Sequence, residues 1–164
     1  MSSFLPSLRL TGADVLTDDD FGCRPVGIAE GRIVDGHGLP EVDLSGFWLM
    51  PGIIDLHGDG FERQLSPRPS APFPLPDALA ATDREAASQG ITTAYLAQSW
   101  SWEGGMRGPD RAEALMEAVR DYRAKSLTDL RIQIRAETHF VEAVPQLIAA
   151  VERFGVDYVV FNDH

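Results

Sequence analysis

The segment LMPGIIDLHGD at residues 49–59 decides how the rest of the chain is interpreted. It begins as an apolar run with β-branched residues, bounded by proline and glycine, and this pattern predicts a buried parallel strand. Because side chains alternate between the two faces of a strand, Asp55, His57 and Asp59 are expected on one side. A histidine and a carboxylate held together at the end of such a strand make half of a divalent-metal site.

A structural interpretation of the same triplet stays open. An Asp-x-His-x-Asp pattern also arises by chance, and a single histidine is more often a hydrogen-bonded structural residue than a metal ligand. The context favours the metal, because Pro51 and Gly52 precede the strand, a glycine-containing loop follows it, and polar residues again follow apolar runs further along the chain.

Three further strands alternate with three helices after this segment. We predict strands at residues 91–97, 130–137 and 156–161, and helices at residues 76–89, 109–125 and 141–154. Strand–helix–strand alternation implies a parallel sheet with right-handed crossovers. A closed (β/α)8 barrel needs eight such units in about 250 residues, so this chain supplies about half of one. Neither a Gly-x-Gly-x-x-Gly nor a P-loop pattern occurs, which argues against dinucleotide-binding and P-loop proteins.

The segment PGIIDLH at residues 51–57 resembles the first barrel strand of the amidohydrolase superfamily, written Pro-Gly-x-Ile-Asp-x-His-x-His. Asp59 replaces the last histidine of this pattern. One branch of the superfamily, the diphosphatases of the carbon–phosphorus lyase pathway for phosphonates, has the same replacement. The resemblance begins near residue 48 and includes four further motifs, at residues 66–69, 90–93, 135–137 and 162–164.

The resemblance implies a fold and a division of the chain. Residues 48–164 are expected to form the first half of an α/β, TIM-like (β/α)8 barrel of a metal-dependent hydrolase, with about four strands. Residues 1–47 are expected to form part of the small β-sandwich that flanks such barrels. Within them, residues 26–34 contain two short apolar runs around Glu30-Gly31, which predicts a β-hairpin.

Two loops are candidates for binding substrate. Residues 60–76 contain five prolines, which predicts a helix-free surface loop, and they carry Arg63 and Arg68. This segment is either a plain connector or, as the resemblance favours, a loop over the pocket. Trp100 and Trp102 follow the second strand, where they would either stack on a sugar ring or cover the edge of the core.

The resemblance also implies a metal centre. His57 would supply a nitrogen ligand, Asp59 and Glu137 would supply oxygen ligands, and His164 would be a further ligand at the end of the fourth strand. His139 is a candidate for either metal ligation or phosphate binding. A mixed nitrogen and oxygen set suits Mn²⁺ or Mg²⁺ as well as Zn²⁺.

The reaction implied by the resemblance is hydrolysis of a ribose 5-triphosphate with release of pyrophosphate. Arg63 and Arg68 would bind phosphate, with Arg135 behind them, whereas Arg107 is expected to be an ordinary surface charge. Gly60 stands where this branch usually has asparagine, so the substrate is open to question. The alternatives are an amidohydrolase acting on a C–N or C–O bond, such as a cyclic amide, and an inactive fragment or oligomerising half-barrel.

Composition limits the partners. The 164 residues include 14 Lys and Arg against 25 Asp and Glu, and the net charge of −11 argues against nonspecific nucleic-acid binding. A small phosphorylated sugar stays possible, because a pocket can be locally basic. Cys23 is the only cysteine, and neither a signal peptide nor a membrane-length apolar run is visible, so we expect a cytoplasmic protein. Open sheet edges predict a homo-oligomer, or a complex with a missing C-terminal half.

Overall fold

A computed structural model describes residues 5–18, 20–68 and 71–163 of the chain. The chain divides into two compact units, Met1–Pro51 and Gly52–His164.

The described residues of the first unit form two small sheets that together resemble a β-sandwich. Their strands are β1 (Leu8–Thr11), β2 (Asp14–Leu16), β3 (Phe21–Cys23), β4 (Val26–Ala29), β5 (Arg32–Val34), β6 (Glu41–Asp43) and β7 (Trp48–Leu49). One sheet has the order β5-β4-β1-β6 and the other the order β3-β2-β7. Because β7 pairs with β2, Leu49 belongs to this unit rather than to the strand that follows it.

The predicted hairpin at residues 26–34 is confirmed. Strands β4 and β5 pair antiparallel, with Ala29 opposite Arg32. The two turn residues, Glu30 and Gly31, have φ values of +52° and +72°. A two-residue turn with both central residues in the left-handed region matches the twist of the flanking strands, which explains why the chain reverses at this point.

The second unit is an α/β unit with a curled parallel sheet, a half-barrel. In chain order it contains β8 (Ile53–Gly58), α1 (Glu62–Leu65), α2 (Leu75–Ser88), β9 (Ile91–Trp100), α3 (Pro109–Tyr122), β10 (Asp129–Glu137), α4 (Val144–Phe154) and β11 (Tyr158–Asn162). Short 3₁₀ turns, Gly105–Arg107 and Val141–Ala143, precede α3 and α4. The strand order is β11-β10-β9-β8, so each strand lies beside its neighbours in the chain.

Local signals explain where the helices begin and end. Pro109 occupies the first turn of α3, where its missing N–H costs no helical hydrogen bond, and Pro76 does the same in α2. Gly155 ends α4 with φ +65°, a left-handed conformation that glycine adopts without strain. The three predicted long helices are therefore present, although α3 ends three residues earlier than expected, at Tyr122.

The core lies on the face of the sheet that the helices cover. In β10, the side chains of Leu130, Ile132, Ile134 and Ala136 are all at most 7% exposed and belong to one apolar cluster with residues of α2 and α3. The alternate residues of the same strand therefore face the other side of the sheet. That opposite, concave side receives a more polar set, namely Arg131, Gln133, Arg135 and Glu137.

The prediction of a buried strand at residues 49–59 is wrong. Ile53, Ile54 and Leu56 are 55%, 60% and 55% exposed. The reason is position, because β8 is an edge strand and β9 is its one partner among the described residues. An apolar sequence is buried only where other elements cover it, and the described elements do not cover this one.

The strict side-chain alternation expected of this strand also fails. Asp55 pairs with Ala94 and Gly58 pairs with Leu96, so three steps along β8 oppose two steps along β9. An extra residue of this kind is a β-bulge, which re-aims the side chains around it. The carboxylate of Asp55 accepts a hydrogen bond from the backbone N–H of His57 at 3.0 Å.

The predicted absence of helix in residues 60–76 is wrong at one point. The prolines of this segment begin at residue 67. Upstream of them, Glu62–Leu65 form the single turn α1, and the Glu62 N–H donates to the carbonyl of Asp59 at 3.0 Å. Leu65 is 1% exposed, and Phe61 at the start of the turn is 4% exposed, so burial of these two side chains in the core holds a turn that the composition did not suggest.

Candidate functional site at the carboxyl ends of the strands

An open cleft of about 300 Å³ lies where the segments after β8 and β9 meet. It combines cationic, amide, hydroxyl and thioether side chains, and it is lined by Glu62, Arg63, Leu65, Ser66, Gln98, Met106 and Arg107. Ligands of parallel α/β sheets bind at the carboxyl ends of the strands, where the connecting loops supply the chemistry. This cleft is therefore our candidate functional site.

The aromatic loop, residues 101–108, forms one wall of the cleft and is closed by hydrogen bonds. The Ser101 N–H donates to the carbonyl of Arg107 at 2.9 Å. From β9, the Gln98 side-chain amide donates to the carbonyl of Met106 at 3.0 Å. These bonds join the start of the loop to its end and tie its end to β9.

Both arginines of the cleft are paired with carboxylates. Arg63, from α1, forms an ion pair with Glu85 of α2, and Arg107 bonds to Glu103 at 2.8 Å. The bond to Glu103 raises the pKa of Arg107, and the negative charges of Glu103 and Glu62 raise it further. With Glu62 also in the lining, three carboxylates face two guanidinium groups, so an anion must take these groups from their carboxylates.

The two other arginines predicted to bind phosphate lie outside this cleft lining. Arg68 is exposed, and its backbone carbonyl accepts a hydrogen bond from the Ser66 hydroxyl at 2.9 Å. Arg135 lies on the concave side of β10, opposite Ser99 in register. Neither guanidinium has a hydrogen-bond or ion-pair partner within residues 5–18, 20–68 and 71–163.

The two tryptophans have opposite environments. Trp100 is 1% exposed and belongs to the apolar core, which favours the core interpretation of this residue over a stacking role. Its indole N–H has no hydrogen-bond partner in the described part of the chain. Trp102, two residues later on the aromatic loop, is 62% exposed.

The predicted metal ligands occupy the ends of different strands. His57 is exposed near the end of β8, Asp59 is exposed just after it, and Glu137 is 8% exposed at the end of β10. His139 contacts Asp163 at 2.9 Å through its Nε2 atom. His164 lies outside the described residues.

A three-donor metal group is not formed by the side chains that the structure describes. Across residues 5–18, 20–68 and 71–163, no three histidine, cysteine, aspartate or glutamate side chains come close enough to hold an ion together. The predicted ligands His57, Asp59 and Glu137 nevertheless offer one imidazole and two carboxylates, and such donors suit a divalent cation. The metal site therefore stays a prediction.

Sequence reasoning missed three features near this end of the unit. Gln98 and Met106 line the cleft although neither forms part of a recognisable motif. Arg111, in the first turn of α3, has buried Nε and Nη2 atoms without a partner in the described residues, and burial lowers the pKa of its guanidinium. A usable signal was the position of Gln98 near the end of a strand, where polar residues line α/β sites.

None of the helices in the described residues is both long and apolar enough to cross a membrane.

Comparison with known proteins places the chain near one characterised enzyme. No protein-family model matches it. The alpha-D-ribose 1-methylphosphonate 5-triphosphate diphosphatase of Escherichia coli (strain K12) is 32% identical to the chain over 133 residues. That match covers 77% of this chain and 34% of the enzyme, so the chain spans about a third of the length of this relative. The similarity supports a distant relationship to a hydrolase.

Proposed function

We propose that this chain contributes the first four strands of a TIM-like barrel in a metal-dependent hydrolase of the amidohydrolase type. The observation that carries the proposal is the cleft that brings Arg63 and Arg107 together at the carboxyl ends of β8 and β9. Two guanidinium groups at one site can each donate two hydrogen bonds to the oxygens of a phosphate chain. The name of the E. coli relative supplies the substrate class, a ribose 5-triphosphate.

The proposed reaction converts ribose 1-methylphosphonate 5-triphosphate to the 5-phosphate and pyrophosphate. Water attacks the phosphorus next to the ribose oxygen. The bond from that phosphorus to the next bridging oxygen breaks, pyrophosphate leaves with that oxygen, and a water proton passes to solvent. Negative charge builds on the phosphate oxygens during this step, and fixed cations stabilise it.

The arginines of the cleft bind the phosphate chain by exchanging their carboxylate partners, Glu85 and Glu103, for phosphate oxygens. An exposed ion pair such as that of Arg107 with Glu103 stabilises a protein by only about 0–1 kcal/mol. A triphosphate carries several charges and presents paired oxygens to each guanidinium, so the exchange is favourable. Arg68, on the exposed segment after α1, provides a third cation for the far end of the chain.

The proposed metal ligands are His57, Asp59 and Glu137, with His164 as a fourth, and the ion is Zn²⁺, Mn²⁺ or Mg²⁺. Imidazole and carboxylate donors suit each of these ions. When bound, the ion supplies Lewis-acid activation of water. We assign His139, which contacts Asp163 at 2.9 Å, to phosphate binding rather than to the metal.

The uncovered edges of the sheet support an assembly proposal. Ile54 and Leu56 on β8, together with Phe161 on β11, are 55–76% exposed. Apolar strand edges associate with further strands. We propose that additional βα units cover them, from a second copy or from a separate half-barrel, in a cytoplasmic assembly. Light scattering tests this, and a monodisperse monomer would contradict it.

The proposed function is tested by metal content and pyrophosphate release in the purified protein. His57→Ala should lose most of the bound divalent ion, measured by elemental analysis, together with most of the pyrophosphate release from a ribose 5-triphosphate. His37→Ala is the matched control, since His37 is an exposed histidine of the first unit. Unchanged metal in the His57 variant would refute the ligand assignment, and turnover of a cyclic amide instead of the triphosphate would refute the substrate class.

A further inference from the structure

We propose that Trp102 determines specificity at the cleft by stacking on the ring that carries the phosphate chain. The protein would thereby prefer ring-bearing phosphate esters to inorganic polyphosphate. This inference deepens the proposed function and rests on it, because the arginines must first hold the phosphates.

The first observation is an exposed tryptophan on a closed loop. Trp102 is 62% exposed, so the face of its indole ring is accessible to a ligand. The backbone of the loop is fixed on both sides of it. The Ser101 N–H donates to the Arg107 carbonyl at 2.9 Å, and the Glu103 N–H donates to the Ser101 hydroxyl at 3.2 Å. Holding an aromatic side chain on such a loop lowers the entropy lost when a ligand stacks on it.

The second observation is that Trp102 belongs to the loop that forms one wall of the cleft. The preceding residue, Ser101, bonds through its N–H to the carbonyl of Arg107, a lining residue, although Trp102 itself is not part of the lining. Two residues of the same loop, Met106 and Arg107, line the cleft. Met106 is itself 39% exposed. Apolar surface thus lies next to a guanidinium, which complements a ring joined to a phosphate.

The third observation is the charge of the protein. The net charge of −11 repels a polyphosphate at long range, and Glu62, Glu85 and Glu103 lie at or beside the cleft arginines. Charge alone therefore selects poorly for a triphosphate. A stacking contact adds affinity that does not depend on net charge, and inorganic polyphosphate has no ring with which to gain it.

Binding measured by titration calorimetry tests this inference. The ligands are inorganic tripolyphosphate, ribose 5-triphosphate and ATP, and the variants are Trp102→Ala and Trp102→Phe. We expect Trp102→Ala to weaken the binding of both ring-bearing ligands about fourfold, because the apolar C–H face of ribose loses its burial against the indole, and to leave tripolyphosphate within about twofold. Trp102→Phe, which keeps an aromatic face, should retain most of the affinity.

Trp48→Ala is the matched control, because Trp48 is 71% exposed but lies in the first unit. It should leave all three affinities unchanged. A loss for both ring-bearing ligands would support stacking on the sugar, whereas a loss for ATP alone would identify the base as the stacked ring and overturn the inference. Equal losses for tripolyphosphate and the ring-bearing ligands would overturn the inference but not the proposed function. Failure of the parent protein to bind any of the three would overturn both.

Discussion

Strands β8 and β10 belong to the same sheet, and the more polar of the two is the more deeply buried. β10 contains two arginines, a glutamine and two acidic residues, yet six of its nine residues are buried. β8 begins with two isoleucines, and four of its six residues are exposed. Burial in this sheet therefore follows the position of the strand rather than its composition.

The difference in burial comes from the strands beside each strand and the helices that cover it. β10 pairs with β9 on one side and with β11 on the other, and α3 covers its apolar face. Its glutamine, Gln133, is 0% exposed and donates to the backbone carbonyl of Leu56 at 2.8 Å. A polar side chain can thus be buried where it makes a hydrogen bond, although the Oε1 atom of Gln133 has no partner in the described residues, whereas an isoleucine at an open edge has nothing to bury it.

The largest expected effect concerns the anchor of β10. Asp83 of α2 is 0% exposed, and its carboxylate accepts hydrogen bonds from the Tyr122 hydroxyl, the Leu127 N–H, and the N–H and hydroxyl of Thr128 at 2.6–3.1 Å. Asp83→Ala leaves these donors unpaired, so we expect the free energy of unfolding to fall by about 4 kcal/mol. Urea denaturation followed by fluorescence of buried Trp100, with the two exposed tryptophans replaced by phenylalanine, measures this.

The control for Asp83 is Arg84→Ala, which removes the exposed neighbouring side chain in the same helix. It should change the free energy of unfolding by less than about 0.5 kcal/mol. A loss below about 1 kcal/mol in Asp83→Ala would mean that water replaces the carboxylate, and β10 would then not depend on this anchor.

The next effect compares the two strands directly. Ile134→Ala should lower the free energy of unfolding by about 3 kcal/mol, because Ile134 is 0% exposed in the centre of the core. Leu56→Ala removes a side chain of similar size from β8, where it is 55% exposed, and should cost less than about 1 kcal/mol. The same denaturation assay applies, and similar losses in the two variants would show that β8 is covered in solution.

The smallest expected effect is a pH dependence of the free energy of unfolding, which arises at the hydrogen bond between Tyr122 and Asp83. Burial, followed by the hydrogen bond to Asp83, raises the pKa of Tyr122 above its ordinary value of 10.0. The folded state thus holds this proton more tightly than the unfolded state. The resulting stability is present below about pH 10 and is lost as the pH rises through the raised pKa.

Tyr122→Phe removes this dependence. The difference in urea midpoint between the parent protein and the variant should be constant from pH 8 to about pH 9.5 and should narrow above about pH 10. A difference that stays constant up to about pH 11 would show that the Tyr122 pKa is not raised.

The parts of the fold that could be predicted depend on local chemistry. The hairpin around Glu30 and Gly31 follows from a two-residue turn between apolar runs, and α3 follows from Pro109 and helical spacing of apolar residues. The turn α1 could not be predicted in this way, because burial of Leu65 against other elements holds it.

The residues of the candidate site could likewise be predicted only in part from the sequence. Arg63 was expected near a ligand from its place after the first strand, and it does line the cleft. Trp100 and Trp102 could not be separated from the sequence, since both follow the same strand and have the same chemistry. Arg107 was expected to be a plain surface charge, and its place in the cleft depends on how the aromatic loop closes.

The sequence by itself determined the order of the four strands and three long helices of the second unit, since periodicity, turn residues and helix caps act over a few neighbouring positions. It also determined which polar residues follow each strand. Only the tertiary structure decided that β8 is exposed, that Trp100 is buried while Trp102 is not, and that Arg63 and Arg107 line the same cleft. The physical reason is that burial and ion pairing depend on residues far apart in the chain, and their positions are known only once the sheet has formed.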